Sequence, residues 1–262
     1  MNVWSVYHDR ISSRGLTKRE ALLKRESATL LRKLPDSLSY QNAVLFSCDN
    51  GFNINGSHSN DGEQRNVAII NSDNLNEKTI IALPGEDIEH GSLVYWMDNY
   101  WLVTERDANT TIYTRAKMIQ CNYLLKWIGA DDNIYEQWCI IEDGTKYLTG
   151  DYEDRNFVVT RGDSRIAMTI ARNSQTMLFN RTNRFIIDDY GSTDPIAYEL
   201  TKPLKVGSHY NGTGVYKFVL REAVTTDDDN LDLRIADYYK HFLKEGSAPP
   251  DSSIDNGKKV WI

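Results

Sequence analysis

The side chains able to do chemistry are scattered along this chain. His8, His58, His90, His209 and His241 lie far apart and share no metal-ligand spacing. Cys48, Cys121 and Cys139 are odd in number and unevenly spaced, which fits free thiols in a reducing compartment rather than a disulfide framework or zinc site. Cys121 sits in an apolar stretch, where a thiol behaves as a small buried hydrophobe. No Gly-x-Ser-x-Gly elbow, phosphate loop or dinucleotide fingerprint occurs. Asp227, Asp228, Asp229 and Asp232 lack the glycine and closing glutamate of a calcium loop and read as a solvated acidic turn. Arg161-Gly162-Asp163 reads as a β-turn. The glycosylation patterns at Asn109 and Asn211 matter only on a secretory route. Trp96, Trp101 and Trp127 fall in β-prone stretches, where core packing is the default over a sugar-binding face. The expectation is a protein that is not an enzyme, with no catalytic, metal or cofactor-binding residues.

Composition sets the frame for those residues. The chain has 262 residues, 40% hydrophobic and 26% charged, as expected of one large globular domain or two small ones. No run approaches the roughly 20 apolar residues of a membrane span. Met1 to Ser5 lacks the basic-then-apolar start of a secretion signal, so a soluble intracellular protein is expected. A net charge of −7 argues against generic coating of nucleic acid. That charge is unevenly spread. Residues 1–33 carry eight Lys/Arg against Asp9, Glu20 and Glu26, a net +5, which leaves −12 on the remainder.

The basic segment, 1–43, reads as a helical arm. Thr17-Lys18-Arg19-Glu20 has the form of a capping box, and the helix should end near Leu34, before Pro35. Leu23, Leu30 and Leu34 fall near one face with Ser27 between them, and basic residues take much of the rest. Two readings fit: a solvated amphipathic helix packed on the body, or a basic arm that docks on an acidic neighbour or faces DNA. Residues 44–66 then read as a polar loop. Ser47 to Arg65 is rich in Asn, Asp, Ser and Gly, with too few aliphatics to offset its ordering entropy.

From Val67 short apolar-rich runs follow one another with no helical pattern between them. Leu93 to Trp96 and Tyr100 to Val103 flank a Met97-Asp98-Asn99 turn, a hairpin signal. A second hairpin is expected around Asp143-Gly144. Residues 67–150 read as one β-module, and 151–230 as a looser version of the same plan. Residues 231–262 give a short helix and an extended tail ending in Val260-Trp261-Ile262. The fold expected is mainly β: two small antiparallel barrel or sandwich modules, with an N-terminal helix, a short C-terminal helix and a tail.

Some of these runs resemble a known group. Asp87 to Thr104, with Gly91 before an apolar strand, a turn and Trp101-Leu102-Val103, resembles the small barrels of head–tail connector proteins of tailed bacteriophages. Gln120 to Ile128 is similar to a segment of structural proteins of phages infecting Gram-positive bacteria, and Arg184 to Asp189 with Ala197-Tyr198 resembles a matching element of a second barrel. The resemblance implies a ring-forming head-closure or connector protein of the virion, assembled in the host cytoplasm. Its partners would be copies of itself, portal or adaptor proteins and tail proteins, with no membrane. An acidic channel wall would repel phosphates and let DNA slide through. Rings use heterologous interfaces, so an arm on one subunit should meet a groove on the next. The subunit-interface residues expected are Arg14, Lys18, Arg19, Lys24, Arg25, Phe52, Ile54, Val260, Trp261 and Ile262. Another virion part (tail, baseplate or capsid decoration) would look similar. A carbohydrate-active or hydrolytic β-protein would need paired carboxylates in an aromatic cleft.

Overall fold

Apolar and polar side chains that alternate along an extended chain make half-buried strands, and fifteen strands form among the described residues. The computed structural model describes residues 4, 17–58, 62–107, 111–143, 165–189, 191–203, 205, 209–210 and 212–242. In chain order, β1 spans Tyr40–Phe46, β2 Asn53–Ile54, β3 Ser57–His58, β4 Glu63–Asn71 and β5 Glu77–Ile81. They are followed by β6 at Leu93–Trp96, β7 at Asn99–Arg106, β8 at Arg115–Gln120, β9 at Tyr123–Ile128 and β10 at Ile134–Asp143. The series ends with β11 at Arg165–Ala171, β12 at Arg184–Ile186, β13 at Ala197–Lys202, β14 at His209–Tyr210 and β15 at Thr213–Ala223. Helix α1 runs Lys18–Lys33 and α2 Tyr238–Phe242. The protein is mainly β, and every strand pair among the described residues is antiparallel.

Six strands close a barrel in the order β1-β4-β5-β8-β7-β6, with β6 pairing back onto β1. Its interior follows the period of two: Ala43 and Leu45, Val67 and Ile69, Trp101 and Val103, Ala116 and Met118. The register of β7 against β8 shifts between Val103 and Glu105, a bulge of the kind that adds the twist closure needs. The hairpin expected at 97–99 forms, with Met97 at φ 47° and Asp98 at φ 58° making the two-residue turn between Trp96 and Asn99.

The other strands build one open sheet, β12-β13-β15-β11-β10-β2-β3, with β9 on β10 and β14 on β15. An aromatic core backs it, in which Trp127 meets Phe179 edge-on at 5.1 Å and Phe179 meets Phe185 at 5.0 Å. A third cluster joins the two sheets. Phe46, Leu93 and Leu102 from the barrel strands pack with Ile140, Ala171 and Val215 from the open sheet, around Cys48 and Cys121. Helix α2 docks through Tyr238 and Phe242 onto Ile134 and Ile235.

Two expectations change. The stretch 44–66 is not a plain loop: β1 runs to Phe46, β2 and β3 form a hairpin on β10, and β4 begins at Glu63. Its missing burial comes from Tyr135 and Glu136, some eighty positions on, which pair with Ile54 and Asn53. The chain leaves the barrel after Gln120, so β9 and β10 belong to the open sheet rather than to a module ending at 150. Strand β10 pairs with β9, β11 and β2; the return strand expected after Gly144 and the turn expected at 161–163 lie outside the described residues.

The acidic turn is also more than solvated. Asp229 is buried, with its carboxylate gripped by Arg184 at 2.8 and 3.0 Å and by the amides of Thr226 and Asp237, both at 2.8 Å. Arg184 also reaches Asp237 Oδ1 at 3.2 Å and donates to the Val224 carbonyl at 2.8 Å. This cluster ties the segment ahead of α2 to β12.

All three cysteines are buried and free. Burial pushes the Cys48 thiol up to about 11, although the Gly214 amide donates to its sulfur at 3.5 Å, and pushes Cys121 and Cys139 up as well. Iodoacetamide at about pH 8 should therefore label none of them in the folded chain and all three after unfolding, counted by intact mass. Labelling of a folded thiol would contradict this packing.

Candidate assembly surfaces

Helix α1 starts where the sequence places it. The Thr17 amide donates to Glu20 Oε2 at 2.7 Å and the Glu20 amide to Thr17 Oγ1 at 3.2 Å, the reciprocal pair of a capping box. No residue of the helix is buried, and Leu22 and Leu31 are nearly half exposed. Leu23 and Leu30 are half-buried, so the helix packs only partly on its own body, and a helix of this length is marginal in water without such packing. Thr17→Ala should cost about 1 kcal/mol of local helix stability, seen as faster amide exchange over 18–33. The unfolding midpoint of the β body should not move, since the two are weakly coupled; a shifted midpoint would contradict that.

Lys18, Arg19, Lys24 and Arg25 are all exposed on α1, and Arg25 meets Glu26 at 3.2 Å. Phe52 and Ile54 are different. Phe52 is buried in the aromatic core, edge-on to Tyr135 at 5.5 Å, and Ile54 packs against the same core. Phe52 is thus taken up by the core of its own chain, while Ile54 keeps part of its surface. Arg14, Val260, Trp261 and Ile262, with the rest of the tail, lie outside the described residues.

The structure adds a surface that no short stretch of sequence announces. A groove of about 1000 Å³ opens where the barrel meets the open sheet, lined in part by Asp73, Leu75, Glu77, Tyr100, Trp138 and Glu142. The β4–β5 turn, the start of β7, the β8–β9 crossover and β10 each contribute one wall. Hydrogen bonds hold those walls in place. Asn122 clasps the Ile141 backbone through two contacts of 2.8 Å, and Gln120 donates to Asn99 Oδ1 at 2.9 Å. The Tyr100 and Trp138 rings stack at 5.0 Å with 15° between their planes. Apolar side chains also stand out near this end of the barrel: Leu38 is 98% exposed, Leu75 87% and Met97 65%.

One carboxyl of the groove is clearly displaced. Glu77 sits 2.8 Å from Lys117, and that hydrogen bond holds its carboxyl below the ordinary value. Each described carboxyl that is clearly displaced (Glu20, Glu63, Glu77, Asp131, Asp229) is displaced downward. A glycosidase acid needs the opposite. The three histidines whose side chains are described stay apart: His58 stacks on Phe46, His90 Nε2 contacts the Thr104 carbonyl at 2.8 Å, and His241 meets Asp132 at 3.2 Å. Among the described residues no three His, Cys, Asp or Glu side chains gather as a metal site, and no helix is long and apolar enough to cross a membrane.

Comparison with known proteins adds one finding. Residues 53–120, from β2 to the end of β8, match the family described as the YomX N-terminal domain. That family is phage-associated, and the match suggests a phage protein. No curated protein and no solved structure matches the chain.

Proposed function

We propose that this chain is a structural part of a phage virion: a head-closure or connector subunit that forms a ring with its own copies between portal and tail, without a catalytic centre. The observation that carries the reading is the match of 53–120 to a phage-associated family, which falls mostly on the barrel strands. The resemblance of Asp87 to Thr104 to connector barrels lies inside that segment. An unburied basic helix, exposed leucines at one barrel end and an acidic body support self-assembly. Net negative charge on the body also suits a wall past which DNA moves without sticking.

Quantitative mass spectrometry of purified particles tests the reading. A small, fixed copy number per particle is expected, since one closed ring supplies a set number of subunits. A copy number comparable to that of the capsid subunit would make the chain a decorating or tail-tube component. Absence from the particle would overturn the virion reading altogether.

A further inference from the structure

We infer that helix α1 of one copy lies in the barrel–sheet groove of a second copy. This rests on the reading that the chain assembles with itself, and it names the surfaces that do so. The helix has what such a partner needs. At about 100° per residue, Leu23, Leu30 and Leu34 form a stripe with Leu22 and Leu31 at its margins. Lys24 falls on one side of that stripe and Arg19 and Lys33 on the other. The helix holds six basic side chains against Glu20 and Glu26; its stripe is only half-buried in its own chain, and Leu22 and Leu31 are exposed.

The groove is the complement. Its floor carries Trp138 and Ile141, its edge carries the exposed Leu75, and Asp73, Glu77 and Glu142 stand around it. A volume of about 1000 Å³ corresponds to roughly two turns of helix about 10 Å across. No residue of the chain's own α1 lines it, although the Leu34–Asp36 turn delivers β1 to the same end of the barrel. Tyr40 pairs with Ala68 there, and the Ile69 amide donates to the Ser39 carbonyl at 2.8 Å, one short turn from Asp73. Arm and groove therefore leave the barrel at one level. Passing an arm sideways to the next copy at that level is the heterologous contact that closes a ring.

Single-cysteine variants of the full chain test this directly, because the native thiols are buried. Leu23→Cys and Leu75→Cys chains, mixed and oxidised, should give a disulfide dimer containing one of each. Lys24→Glu with Lys33→Glu in the helix chain should lower its yield about tenfold, since like charges would then face each other. Asp73→Lys with Glu142→Lys in the groove chain should restore it. Circular dichroism of each variant confirms that the β body is folded. No mixed dimer, a disulfide only within a chain carrying both cysteines, or release of the arm by added DNA with no dimer would each overturn the inference. The protein could still be found in particles after any of these, so this failure is distinct from failure of the virion reading.

Discussion

Gly91→Val is expected to abolish the cooperative fold, with a loss of more than about 4 kcal/mol, a large part of a typical domain's total stability. Gly91 has φ +86°, a region where a β-branched residue is a genuine outlier. A Cβ there would overlap the Gly214 carbonyl oxygen and lie 2.7 Å from Cys48 Sγ. Both neighbours are tied in place, the Cys48 thiol donating to the Arg172 carbonyl at 3.0 Å. The Gly214 carbonyl already accepts the Arg172 amide at 2.9 Å, and the Gly91 amide donates to the Val103 carbonyl at 2.9 Å. Here the loop ahead of β6 touches β15, so the clash falls on the core that joins barrel to open sheet. Gly85 is the control: its φ is +93°, but nothing lies within 4 Å of an added Cβ. Gly85→Ala should cost only the backbone strain, about 1–2 kcal/mol. Chemical denaturation separates the two, and similar losses would contradict the close approach at Gly91.

Arg184→Met should cost about 3–5 kcal/mol at neutral pH, because it leaves a buried carboxylate without its cation. Burial alone would push the Asp229 carboxyl up. The amides of Asp237 and Thr226 and the Arg184 guanidinium outweigh it and hold the carboxyl below its ordinary value. A group depressed in the folded state contributes stability above its unfolded value, about 3.9, and loses it as pH falls through the lower folded value. The native chain should therefore weaken in acid below about pH 4. In Arg184→Met the stranded Asp229 should take up a proton more readily, so the gap in melting temperature between variant and native chain should narrow from neutral pH toward pH 4. A gap independent of pH would mean that Arg184 acts by packing alone.

What could be read from the sequence was whatever depends on near neighbours. The capping box at Thr17 and Glu20, the Met97-Asp98 hairpin and the run of antiparallel strands each follow from residues a few positions apart. Gly91 was visible as a glycine before an apolar strand, though not the Gly214 it abuts. What stayed hidden depends on distant partners. Phe52 looks stranded in a polar stretch until β10 supplies Tyr135, and Asp229 looks solvated until β12 supplies Arg184. The same holds for membership of a sheet: β8 and β9 are separated by two residues yet lie in different sheets. The groove draws its walls from four separate segments, and no local pattern encodes it. The sequence offered only a leucine-bearing basic helix, which fitted packing on the body as well as docking on an acidic neighbour.

Gold labelling of intact particles shows whether the chain sits at the junction of head and tail. The chain, carrying an affinity tag at its N-terminus, would replace the native copy in the phage that encodes it, and purified particles would be labelled and imaged by electron microscopy. A head-closure or connector subunit should place gold at the junction of head and tail. Particles that carry no gold there, with the tag shown to be accessible on the purified protein, would contradict that placement.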